Sequence, residues 1–259
     1  MAEQAPDKTP YHYVSNNPIN RIDPDGREAF SPIFNKSGKL LGTDDQGVSG
    51  EAIIMDENNF EQGMSHDEAL EKGTLYSDLP ANDQARTNAE SFMEEAHLRP
   101  DYNGEITYNE ANSWARRGSY NAQDKYGNGD LFVDVSKIDI SKFTFKDIKD
   151  ANKGGNFYFN FLSLGKATGN TLGYFFMRSD NTDTGMIYGN IRMEAGKNGT
   201  IHMGNRSTRL LDIYDFNTKD GSYYKRGANA VGQHISTVGG KYKINEYSIY
   251  SYGTKKVSN

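Results

Sequence analysis

From Leu131 onward the chain is a succession of short aromatic segments cut by Gly, Asn and Asp turn signals, and this texture limits the possible folds more than any other feature. The segments lie at 131–135, 157–161, 172–176, 186–193, 200–203, 210–216 and 242–250. Runs such as Lys197-Asn198-Gly199 and Lys219-Asp220-Gly221 separate them. Short β-branched and aromatic runs between turn signals read as antiparallel strands. Sheets made of short strands protect their edges by curling or closing, so the spacing predicts a twisted antiparallel sheet or a partly open β-barrel. A helix expected over about 223–237 interrupts the strands.

Ahead of Gly129 the texture differs. Residues 27–73 are rich in Gly and Asp, with one apolar strand candidate at Ala52-Ile53-Ile54-Met55. Ser65-His66-Asp67-Glu68 has the capping-box pattern, and Gly73 is placed to stop a short helix. Ala85, Ala89, Phe92, Met93 and Ala96 recur on one face of a helix expected over about 82–97. Thr107-Tyr108-Asn109-Glu110 repeats the capping box and opens a helix that runs through Trp114 to about Gly118. The expected fold class is α+β, with a Gly/Asp-rich and helical lead-in over 27–129 and a β-rich domain over 130–259. Residues 1–26 stand apart from both.

The net charge of −6 conceals a division at the same place. Residues 1–130 carry 24 acids and 11 bases, and residues 131–259 carry 11 acids and 18 bases. The basic part is suited to an anionic partner such as phosphate, nucleic acid or a lipid headgroup. The bland reading is that the two parts neutralise each other within one fold. With no cysteine in the chain, disulfide scaffolds, thiolate zinc modules and thiol catalysis are excluded. No apolar run reaches the ~18–20 residues of a membrane span, so no transmembrane segment is expected. The stretch 1–11 is polar, unlike a signal peptide or an anchor.

Residues 11–26 read, on physics alone, as a strand followed by two turns at Asn16-Asn17-Pro18 and Asp23-Pro24-Asp25-Gly26. Their wording, Tyr-His-Tyr-Val-Ser-Asn-Asn-Pro-Ile-Asn-Arg-Ile-Asp-Pro-Asp-Gly, closely resembles the closing motif of the Rhs repeat core, the β-rich shell of bacterial polymorphic toxins. In that family the shell ends at such an Asp-Pro-x-Gly, and a variable toxic tip follows. The resemblance implies that residues from about Arg27 onward are the C-terminal effector of a larger secreted or injected protein. It further implies three partners or settings: the Rhs shell itself, a cognate immunity protein, and a target bacterium.

Motifs with established chemistry are scarce. There is no Walker A, HExxH, GxSxG or Rossmann glycine signature. Histidines stand at 12, 66, 97, 202 and 234, none at metal-ligand spacing from another, so no locally assembled zinc site is expected. His66, in a helix cap, and His97, near a helix end, read as surface histidines. The run Asp101 to Glu110 imitates the last ten positions of an EF-hand loop, but the first ligand position falls on Arg99, which would repel calcium. The segment reads instead as a turn before a capped helix.

The concentrated polar cluster is Asp212-Ile213-Tyr214-Asp215. On a strand, positions 212 and 214 share one face and 215 takes the other, unless the strand ends or bulges at Asp215. Two carboxylates and a phenol among Leu210, Leu211, Ile213 and Phe216 imply a metal ion or a basic partner, and Arg206, Arg209 or Arg226 would serve equally in a structural network. Asp-x-Tyr-Asp on a late strand of a basic β-rich toxin domain also resembles the active-site motif of the colicin M family. Those bacteriocins hydrolyse the lipid II peptidoglycan precursor between its polyprenyl chain and its pyrophosphate, with magnesium. The resemblance implies Asp212 and Asp215 as Mg²⁺ or base residues and Tyr214 as a positioning donor. Where that family has a His-Arg pair this chain has Gly221-Ser222. The roles of that pair therefore fall to Arg226 as a catalytic cation and to Lys219, Lys225 and His234 as substrate-binding candidates.

Three readings follow. The first is a periplasmic, antibacterial effector acting as a phosphoester hydrolase on an anionic lipid-linked pyrophosphate. A nuclease or other nucleic-acid-directed toxin is the second. A non-enzymatic binding module, with Asp212 and Asp215 as structure, is the third.

Overall fold

The computed structural model describes residues 31–45, 47–48, 50–117, 129–139, 157–160, 187–188, 190–195, 200–216, 219 and 223–256. The Rhs-like motif at 11–26 and the strand expected at 172–176 lie outside the described residues.

The fold is mixed α+β, with three sheets and four α-helices among the described residues. In the first sheet β1 (Pro32–Phe34) pairs antiparallel with β2 (Leu40–Thr43) and parallel with β3 (Ile53–Ile54), and β3 pairs antiparallel with β4 (Thr74–Leu75). The lead-in is therefore not simply helical. The second sheet centres on β10 (Tyr247–Tyr252), parallel to β5 (Leu131–Asp134) and antiparallel to β9 (Leu210–Tyr214). In the third, β6 (Phe157–Asn160), β7 (Asn190–Ala195), β8 (Thr200–Met203) and β11 (Lys255–Lys256) follow one another antiparallel. Among the described residues no sheet closes into a barrel. The parallel pairs β1–β3 and β5–β10 are the departure from the antiparallel sheet that local spacing suggests.

Helix starts follow local chemistry. Ser65 Oγ accepts from the Glu68 N–H and opens α1 (His66–Lys72). Asp83 accepts from the Ala85 and Arg86 N–H groups and opens α2 (Gln84–Ala96), whose Ala85, Ala89, Phe92 and Ala96 are buried. At α3 (Tyr108–Arg117) the reciprocal box is complete: Thr107 N–H donates to Glu110 Oε2, and Glu110 N–H donates to Thr107 Oγ1. The fourth helix, α4, spans Tyr223–Ser236.

One cluster of buried side chains runs through all three sheets. It takes in Phe34 and Leu40, Phe92 of α2, Trp114 of α3, Leu131 and Ile249 of the second sheet, and Ile191 and Ile201 of the third. A smaller cluster of Ile33, Ile53, Met55, Met64 and Ala69 seats α1 on the first sheet. The larger core thus crosses Gly129, where the charge balance changes.

Candidate functional site

β9 carries Asp212 in its middle, paired in register with Ile249 of β10. A register shift between Ile249 and Tyr250 accompanies the pairing of Tyr250 with Leu210, as a bulge near Leu211 would produce. Asp212 is half-buried beside Tyr188, whose phenol is pushed up first by burial and then by the charges of Asp212 and Glu105. The strand ends at Tyr214, and the Asp215 N–H folds back onto the Ile213 carbonyl at 2.9 Å, leaving Asp215 exposed. A tight turn thus follows the strand at the residue where the sequence pattern allowed one.

Tyr214 faces inward. Its ring stacks on Tyr247 with centroids 5.0 Å apart, and its hydroxyl donates to Asn112 Oδ1 at 2.9 Å. Burial holds its phenol far above the ordinary range. Asn112 Oδ1 also accepts from Ser236 Oγ of α4, and Asn112 Nδ2 donates to the Tyr108 carbonyl at 2.8 Å. The hydroxyl proton is therefore committed to a network joining α3, β9 and α4.

α4 meets β9 through its buried side. Phe216 lies against Gly232, where an added Cβ would come within 2.4 Å of its ring, and Ser236 one turn later reaches Asn112. His234 projects about half a turn away from those two positions and is exposed. The structure thus places it on the side of α4 opposite β9. Lys219 is exposed just beyond Phe216. Lys225 and Arg226 fall in the first turns of α4, and their side chains lie outside the described residues.

Two other polar clusters emerge that sequence reasoning misses. The first replaces the EF-hand imitation. Arg99 grips Asp101 with two bonds of 2.8 Å, donates to the Asp130 carbonyl at 2.6 Å, and lies over the rings of Phe92 and Trp114 at 5.5 and 5.0 Å. Asp101 Oδ2 also accepts from the Phe132 N–H at 2.8 Å. The carboxylate that a calcium loop would offer is thereby committed to Arg99 and β5, and Glu110 to its capping box.

The second is a histidine with an oriented ring. His66 Nδ1 lies 2.7 Å from Asp44 Oδ2, with the Asp44 side chain wholly buried and that of His66 one quarter exposed. The His66 N–H donates to Asp45 Oδ1 at 3.1 Å. The Asp44 bond raises the imidazole pKa against an opposing desolvation. Burial, then Asp44, raises Asp45. Nearby, the Arg209 side chain crosses Gly63, where an added Cβ would come within 2.7 Å of its Nε. Arg209 reaches that place from a left-handed backbone, φ 57°, at the foot of β9. The capping pattern at 65–68 marks the helix but not the buried aspartate twenty-two residues earlier.

Compared with known proteins, the chain matches no family model, and neither a curated protein nor a solved structure is similar to it. Among the described residues no helix is long and apolar enough to cross a membrane.

Proposed function

We propose that this chain is the toxin tip of an Rhs polymorphic toxin and that it hydrolyses a phosphoester, with the polyprenyl-linked pyrophosphate of lipid II as substrate. The observation that carries the proposal is the unbroken run at 11–26, whose wording resembles the closing motif of the Rhs core. The chemistry is supported by the exit of β9, where Asp212 stays partly accessible and Asp215 is exposed.

Such a reaction needs a carboxylate to deprotonate or position water and cations to offset charge on the phosphoryl oxygens. Asp212 and Asp215 supply the first. Lys219 and the α4 residues Lys225 and Arg226 supply the second. Among the described residues no three histidine, aspartate or glutamate side chains gather to hold a metal. A cation at Asp212 and Asp215 would therefore take its remaining ligands from water and the pyrophosphate, as magnesium does. Bound there, magnesium would contribute charge neutralisation on the phosphoryl oxygens. Tyr214, committed to Asn112, would hold the strand end in place from behind.

Product analysis of lipid II incubated with this chain, with and without Mg²⁺, tests the proposal. The expected product is a disaccharide bearing pyrophosphate, with Asp212→Ala and Asp215→Ala each slower by at least about 100-fold. Variants that kill target cells as well as the parent would sink it. Toxicity from cytoplasmic expression without export would move the target to nucleic acid or another cytosolic molecule.

A further inference from the structure

The C-terminal end of α4 is closed in a way that its own backbone does not favour. Gly239 N–H donates to the His234 carbonyl at 2.9 Å and Val238 N–H to the Ile235 carbonyl at 3.1 Å, which together make a Schellman closure. The residue that must turn left-handed in such a closure is normally glycine. Here it is Val238, at φ 52°, although glycines follow at 239 and 240. A β-branched residue in that region is strained. The strain is incurred for a side chain that is 52 % exposed.

Val238 has apolar company. Val231 and Ile235, one turn apart on the helix, are 39 % and 38 % exposed. These three are half of the six large apolar residues exposed among the described residues, and they fall within eight positions. Along the sequence the charge beside them is mostly basic. From 219 to 243 the chain carries Lys219, Lys225, Arg226, Lys241 and Lys243 against Asp220 alone. Lys241 and Lys243, just past the strained turn, are exposed.

We propose that this end of α4 is a docking surface for an anionic lipid bilayer. Val231, Ile235 and Val238 enter the boundary between headgroups and acyl chains, and the lysines beyond the turn meet lipid phosphates. The aliphatic stripe has no use in a purely electrostatic contact with nucleic acid. A second copy of the chain would set like charge against like. The inference deepens the lipid-linked reading of the substrate and rests on that reading for its purpose only. Vesicles without any such substrate test binding by itself, so failure of docking and failure of hydrolysis are read separately.

The experiment is cosedimentation of the full chain with phosphatidylcholine vesicles and with vesicles of phosphatidylcholine and phosphatidylglycerol. The expected result is binding to the mixed vesicles, loss of that binding at high salt, and little binding to the neutral ones. Val231→Glu combined with Ile235→Glu should weaken it by roughly tenfold or more. Val238→Gly gives a second signature, because it relieves the backbone while removing an apolar anchor. Binding should fall by roughly threefold while Tm stays level or rises. Wild-type protein left in the supernatant with mixed vesicles, equal binding to neutral vesicles, or variants that bind like the parent would overturn the proposal. So would a dimer in sedimentation that Val231→Glu with Ile235→Glu dissolves, which would assign the face to a second copy.

Discussion

Arg99 and His66 both set a basic side chain against an aspartate, yet the protein builds the two pairs differently. Arg99 and Asp101 are wholly buried, and the guanidinium spends its fork on a carboxylate, a carbonyl and two aromatic faces. His66 is one quarter exposed, and the described bond of its ring is a single one to Asp44. The first pair is built on the flat fork of a guanidinium, and it ties α2, α3 and β5 together. The second joins the end of β2 to α1 through a group that does titrate. A permanent charge suits a joint that must never open; a titratable one suits a joint at the surface, where its state can follow the solvent.

The sharpest way to break this contrast is to remove Arg99. Arg99→Leu leaves Asp101 buried without its guanidinium and strips a cover from Phe92 and Trp114, so it should cost about 3–5 kcal/mol. Chemical denaturation would show this as a large fall in the midpoint. Arg99→Lys keeps the charge but loses the two-pronged grip and the flat stacking, and should recover less than half of that loss. A full recovery by lysine would mean that charge alone holds the joint.

The next test is the pH dependence of the His66 pair. Since its folded-state pKa is raised, chiefly by the Asp44 bond, the charged pair's stabilisation is fully present below the unfolded value of about 6.5. It is lost as pH rises through the folded value. The free-energy difference between the parent and His66→Gln should therefore be largest, about 1–2 kcal/mol, near pH 6 and shrink toward pH 9. Urea melts across that range measure it. The Arg99→Leu deficit should not shrink over the same range, because a carboxylate left buried is not relieved as pH rises, and a parallel decline in both would erase the distinction between the pairs.

Neither pair is legible from sequence: Asp44 is remote from His66, and the Arg99–Asp101 pair, though only two residues apart, is buried by groups far along the chain. The Ser65 and Asp83 caps and the Thr107 capping box are each formed within four residues, so α1, α2 and α3 begin where local pattern places them. His66 meets an aspartate twenty-two positions away, and Arg99 meets the Asp130 carbonyl thirty-one away. Of the first sheet only β3 falls in an expected strand, the apolar run 52–55; the other strands escape notice because they are two to four residues long, too short to show alternation. β10 begins at Tyr247, later than aromatic spacing suggests, because the preceding residues close α4 and reach α3: Tyr242 N–H donates to Thr237 and Asn245 N–H to Ala115. In β9 the strand and the turn at Asp215 follow the pattern. The partners that receive Tyr214, with Tyr247 and Asn112 among them, are remote in sequence, and so its inward turn is not legible locally.

Tyr214 supplies a neutral control for the comparison of charged pairs. Tyr214→Phe keeps the ring on Tyr247 and Phe216 and deletes only the hydroxyl that donates to Asn112. Asn112 Oδ1 retains Ser236 Oγ, so the loss should be about 1 kcal/mol, the smallest of the three. Since burial holds the phenol far above its ordinary pKa, the deficit should not vary between about pH 6 and pH 9. The same variant separates support from chemistry. If Tyr214 only braces the end of β9, hydrolysis by Tyr214→Phe should fall by less than about tenfold, with the fall tracking the loss of stability. A loss of about 100-fold or more at undiminished stability would instead require that the hydroxyl leaves Asn112 and turns to the substrate during the reaction.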